Sequence, residues 1–188
     1  MTRNVLRYMT FAMLALALAG SSSADELGIS IGDDIARGMY GHRLEKAEID
    51  LIGSWDHHDD DGDIVALGLL VPGVVGQGAG TVELSLGGKA LYADAFSDDG
   101  FALALGAEIW YGIPRVKNLS IGATLYYAPD VTAAGDIDAY TEFSVGGGYG
   151  LGARSAVTLA FRRVDVDLKG VSEPSFDDGL HLGFRFRF

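Results

Sequence analysis

From Leu180 to Phe188 every second residue is large and apolar. The stretch reads GLHLGFRFRF, with Leu180, Leu182, Phe184, Phe186 and Phe188 separated by His181, Gly183, Arg185 and Arg187. Side chains alternate between the two faces of a β-strand, so the five large groups share one face and the two arginines share the other. Such a face must be covered by a protein core or by lipid. The arginines must lie where a charge is hydrated or paired. Few folds satisfy both demands at once.

The same period of two recurs along the chain. It is clear in Val65, Leu67, Leu69, Val71, in Phe101, Leu103, Leu105, Ala107, Ile109, Tyr111, and in Leu119, Ile121, Ala123, Leu125, Tyr127. It continues in Ile137, Ala139, Thr141, Phe143, Val145 and in Val157, Leu159, Phe161. The residues between are small or polar. Segments of about ten residues, apolar on one face only, are the pattern of a transmembrane β-barrel, and also of a soluble sandwich with the apolar face inward. Turns favour the barrel. Asp-Asp-Gly occurs at Asp60–Gly62, Asp98–Gly100 and Asp177–Gly179, each read as a tight turn with glycine at positive φ. Strands alternating in direction then place all three at one acidic end, with Arg115, Lys117 and Arg154 at the other. Parity puts Trp55, Tyr92 and Tyr127 outward near the acidic end, and Tyr111, Tyr149 and Phe188 outward near the opposite one. Two such rings flanking an apolar band correspond to aromatic girdles.

Residues 1–24 read as a leader. Arg3 and Arg7 precede the apolar run Met9 to Gly20, and Ser22 and Ala24 supply small residues for cleavage. The run is too short for a membrane anchor, which needs roughly 20 apolar residues. The working domain is then 25–188, with 12 basic against 26 acidic residues, a net charge of −14 rather than −12. That balance argues against nucleic-acid binding. An exported chain with no cysteine has neither a disulfide framework nor thiolate chemistry. Together these features predict an all-β, antiparallel up-and-down barrel of about ten strands. Eight with an N-terminal arm is the alternative, and an even count puts both termini in the periplasm.

WDHHDDDGD (Trp55 to Asp63), GGKALY (Gly87 to Tyr92), YYAPD (Tyr126 to Asp130) and DAYTEFSVGGGYG (Asp138 to Gly150) resemble the YfaZ family of proteobacterial outer-membrane proteins. The resemblance runs from about Trp55 to Phe188 and rests on loops and strand ends. It implies an outer-membrane, porin-like barrel of a Gram-negative bacterium. The alternating last strand with terminal phenylalanine resembles the signal read by the barrel-assembly machinery, an expected partner beside outer-membrane lipid and lipopolysaccharide.

Parity places Glu48, Asp50, Glu83, Glu108 and Glu142 inside the barrel with Lys89, Arg162, Arg185 and Arg187. They form either a structural salt-bridge network or a charged constriction that selects ions. Glu48, Glu108 and Glu142 are the expected partners of Arg185 and Arg187. Barrels of about eight to ten strands are largely filled by side chains, so any pore is narrow or gated. The only metal candidates are His57, Asp59 and Asp61. Asp59, Asp61 and Asp63 alternate as in a calcium loop, yet Ile64 occupies the position where the loop needs glycine. A solvated acidic hairpin tip accounts for them, and no cofactor is expected. Acidic tips would also share divalent cations with lipopolysaccharide. A hydrolase would need a nucleophile beside a histidine. His181 has Gly183 as its neighbour on the same face, and Asp56-His57 near Asp98-Asp99 only faintly echoes a protease. The expected function is a narrow porin-like channel without enzymatic activity. A closed structural or adhesive barrel is the alternative, and a small outer-membrane hydrolase the third.

Overall fold

Period-two alternation becomes ten long antiparallel strands closed into a ring. The computed structural model describes residues 25–75, 80–169 and 175–188; the expected leader, 1–24, lies outside them. The strands are β1 (Asp25–Ile31), β2 (Ile35–Leu44), β3 (Ile49–His58), β4 (Gly62–Val75), β5 (Val82–Ala95), β6 (Asp98–Gly112) and β7 (Leu119–Ala128). After a 3-10 turn and the three-residue β8 (Ala133–Gly135) come β9 (Ile137–Gly150), β10 (Ser155–Leu168) and β11 (Ser175–Arg187). Each strand pairs with its neighbours, β7 with β9, and β8 adds only to the rim of β6. The ring closes through β1 and β11, with Leu27 opposite Phe186 and Ile29 opposite Phe184. Closure leaves no free edge strand among the described strands, as a bilayer requires. The segment before Ala47 therefore supplies two strands, and the total is ten in the barrel.

Outward positions form an apolar band round the ring: Ile31 is 64% exposed, Leu105 77%, Leu182 62%. Inward positions are polar, small, or packed together. Two β-bulges change the parity expected from sequence. Register shifts opposite Asp167/Leu168 and turns Ile137 inward, so it does not continue the outward row of Phe143 and Val145. A second shift, between Val164 and Asp165, leaves Phe176 and Asp177 both buried inside.

The turns also differ from expectation. Gly62 has φ +110 and does make the β3–β4 turn, but Asp98–Gly100 and Asp177–Gly179 lie within β6 and β11. The β5–β6 hairpin turns instead on Phe96 (φ 55) and Ser97 (φ 77). Two adjacent positive φ values are the geometry of a type I′ turn, which normally takes Asn-Gly.

Candidate functional site in the barrel interior

The interior is stratified along the barrel axis. At the end carrying the β3–β4 and β5–β6 turns, Ile35, Ile64, Ile137, Val164, Val166 and Phe176 meet in the lumen, none more than 5% exposed. Phe96 packs edge-on against Phe176, with ring centroids 6.4 Å apart. This is a hydrophobic core inside a barrel whose outside is also apolar.

Beneath it lies a charged layer. Arg162 on β10 uses all three guanidinium nitrogens: Nε donates to Glu142 Oε1 at 3.1 Å, Nη1 to Asp177 Oδ2 at 2.7 Å and Nη2 to Asp56 Oδ2 at 3.1 Å. Glu142 on β9 is the second hub. It also accepts from Arg37 Nη1 on β2 at 2.9 Å, from Tyr140 Oη at 2.9 Å, and from Lys89 Nζ on β5. Lys89 lies over the rings of Tyr126 and Tyr140, 4.4 and 4.9 Å from their centroids. His181 Nε2 meets Asp177 Oδ1 at 2.9 Å. Three cations, Arg37, Lys89 and Arg162, thus face three acids, Asp56, Glu142 and Asp177. The bonds from β2, β5 and β10 converge on β9 and β3, so they tie opposite walls across the lumen. In so dry a place each ion is tolerable only because its partners replace water.

Below this layer the lumen opens into a cavity of about 910 Å³ at the end that carries Glu26 and Phe188. Its wall includes Asp50, Glu83, Glu108, Trp110, Arg43 and Arg185. Glu108 accepts from Tyr126 Oη at 3.1 Å, and Arg43 pairs with Asp50 at 3.4 Å. Trp110 lies flat beside Gly122, where any Cβ would enter the ring. Arg185 sits 5.0 Å from the centre of that ring.

Of the nine interior charges expected from sequence, eight point inward, and Glu48 does not. It occupies the exposed β2–β3 turn with φ 52, where its N–H donates to Glu45 O. The expected pairings also differ. Arg185 and Arg187 reach neither Glu48, Glu108 nor Glu142. Their partner is Glu26, at 3.6 and 2.6 Å. Arg37, Asp56, Asp177 and Glu26 belong to the interior network but were not among the candidates. Asp177 falls in an Asp-Asp-Gly stretch that reads as a turn, and Asp56 figures in the sequence as a faint protease echo beside His57. Glu26 and Arg37 lie in a segment whose strands are short and weakly alternating. The alternation of Asp56 with Ser54 and Ile52 was the usable signal.

On the outer surface, Trp55 donates to Asp63 Oδ1 at 2.9 Å and stacks on His57, 5.6 Å between centroids. Tyr92 Oη donates to Asp99 Oδ2 at 3.3 Å. Tyr127, Tyr111, Tyr149 and Phe188 are exposed, Tyr127 toward the acidic end and the other three toward the termini. His57 Nδ1 also meets Asp63 Oδ1 at 2.9 Å, its Nε2 is 3.8 Å from Asp59, and Asp61 Oδ2 lies near His58. Asp56 points inward and His57 outward, so the two belong to different faces of β3 and make no catalytic pair.

The family described as YfaZ precursor matches this chain over residues 5–188. The chain is 28% identical over 189 residues to the outer membrane protein YfaZ of Escherichia coli strain K12, covering 97% of this chain and 100% of that protein. Among solved structures it is similar to the NanC porin (10% identity, TM-score 0.41, covering 88% of this chain and 100% of that one). It is likewise similar to the KdgM porin (11% identity, TM-score 0.40, covering 88% and 99%).

Proposed function

Because the chain belongs to the YfaZ family and is an outer-membrane β-barrel, we propose that it works as a closed barrel, sealed toward the cell exterior and open as a polar chamber toward the periplasm. The observation that carries this reading is the pair of layers in series. A path through the lumen would have to cross the apolar plug around Phe176 and then the salt-bridged layer around Arg162 and Glu142. The described turns at 32–34, 59–61 and 96–97 are short, and the layer that fills the mouth is made of strand side chains. The strands' own side chains close it, as expected for a barrel of this size. The acidic rim, with Asp60, Asp99 and Asp130 exposed, is then the surface offered to lipopolysaccharide or to a partner.

The narrow channel expected from sequence is the second reading. What favours it is the chemistry of the lower layer, whose charges would hydrate and line an ion path if the plug rearranged. Planar-bilayer recording separates the two. The closed reading expects no steady conductance from the purified barrel at moderate voltage, and reproducible unitary openings with ion selectivity would replace it by the channel. A hydrolase finds little support. His181 and Asp177 are bonded to each other inside the sealed half, with Arg162 on the same carboxylate and no route for a lipid or peptide.

A further inference from the structure

At the end of the lumen that carries Glu26 and Phe188, a recess of about 200 Å³ shares Glu26, Ser120, Arg154, Arg185 and Arg187 with the larger cavity, and its charge is opposite to that of the chain as a whole. Arg154, Arg185 and Arg187 line it, with Glu26 as the only acid; Asn118 and Ser120 add neutral polar groups. On a chain of net charge −12, three guanidinium groups around one small cavity form a local positive field. One carboxylate is shared between two of them: Glu26 Oε2 accepts from Arg187 Nε at 2.6 Å, and Oε1 lies 3.6 Å from Arg185 Nη1. The third, Arg154, makes no ion pair among the described residues. Arg185 also keeps a buried Nε–H that has no acceptor, and an orphaned donor next to an ion-sized cavity is costly unless a ligand or water fills it.

We propose that this cavity is an anion-binding site for a small phosphate or carboxylate group entering from the periplasmic side. The ligand's oxygens would take the free Nε–H of Arg185 and the fork of Arg154, with Arg187 completing the cradle. Glu26 competes for the same cations. Arg185 is fixed by its stacking on Trp110, itself seated against Gly122, so the donor is held in place before the ligand arrives. The site does not depend on whether the barrel conducts.

Calorimetric titration of inorganic phosphate into the folded protein in zwitterionic detergent micelles tests this. Saturable binding is expected. Arg154→Gln, on an exposed turn, should weaken it by about tenfold, the usual loss for one charge-assisted hydrogen bond. Arg187→Gln, whose side chain is 68% exposed, should do likewise without threatening the fold. Glu26→Gln should tighten binding, because it removes the competitor. That direction separates a ligand site from a merely structural cluster, in which losing Glu26 only loosens the arginines. A repeat with phosphatidylglycerol added to the micelles identifies the source. Competition with phosphate assigns a lipid headgroup, and its absence a soluble anion; both keep the site. No saturable heat, or equal affinities for wild type, Arg154→Gln and Glu26→Gln, overturns it.

Discussion

Glu142 and Arg187 both carry a charge and both form ion pairs, yet their surroundings make them unequal. Glu142 is buried and faces Arg162, Arg37 and Lys89. Replacing it with glutamine keeps the shape and leaves three cations in the barrel interior with one acid fewer. Removing one partner of a buried pair typically costs about 3–5 kcal/mol, and Glu142→Gln is expected to lose that much in urea unfolding from micelles. A loss below about 1 kcal/mol would mean that water reaches the layer and that the network is a hydrated filter rather than a strut. Arg187→Ala should cost no more than about 1 kcal/mol, since its pair with Glu26 is largely in water. The sequence separates these two poorly. Both sit on the polar face of an alternating strand, and only position along the barrel axis distinguishes them. Alternation reports which way a residue points; it does not say how deep the residue lies or which strand stands opposite.

The alternating strands were legible because their period survives for ten or more residues, as in Phe101 to Tyr111. The turns were not, because turn chemistry is local and the chain spends its Asp-Asp-Gly motifs differently. Of the three motif glycines, only Gly62 uses the positive φ that glycine allows. In β6 and β11 the same three letters are strand, and Asp177 serves Arg162 from inside the barrel. The bulges at Ile137 and Phe176 were equally hidden, since one extra residue in a strand leaves the composition unchanged and only reverses parity beyond it. Both bulges deliver a large apolar side chain to the plug, and Ile137, which simple alternation points outward, is one of the two. The β5–β6 hairpin shows the same preference for sealing over local comfort. Phe96 accepts a left-handed backbone that costs a bulky residue of order 1–3 kcal/mol, and in return its ring packs on Phe176. Ser97 pays the backbone cost with an exposed side chain. Ser97→Gly should therefore stabilise the barrel by about 1 kcal/mol, read as a higher temperature of heat-modified mobility on unboiled gels. Phe96→Ala should destabilise it despite relieving crowding. If Phe96→Ala proved neutral, the ring would contribute nothing to the seal.

At the scale of the molecule, the two ends of the lumen should differ in access, and the absence of cysteine from the chain makes that measurable. Asp60 lies on the exposed acidic turn, Glu83 on the wall of the 910 Å³ cavity, and Val164 in the plug, fully buried. Asp25, the first described residue, and Phe188 lie at the cavity end, hydrogen-bonded to each other, and the proposed closed barrel has that end toward the periplasm, as for outer-membrane barrels with an even number of strands. Single cysteines at the three positions, probed in whole cells with a maleimide too large for general porins, should then react in a fixed order. Asp60→Cys is labelled from outside. Glu83→Cys is protected until the outer membrane is permeabilised, and Val164→Cys until the barrel is denatured. On the closed reading the order follows from the layers: the reagent does not pass the plug, and it enters the chamber from the end opposite the plug. Labelling of Glu83→Cys in intact cells would mean either that the chamber faces outward or that the two layers part in the membrane. Reactivity of Val164→Cys without denaturation would tell these apart, because inversion of the barrel leaves the plug intact whereas opening does not.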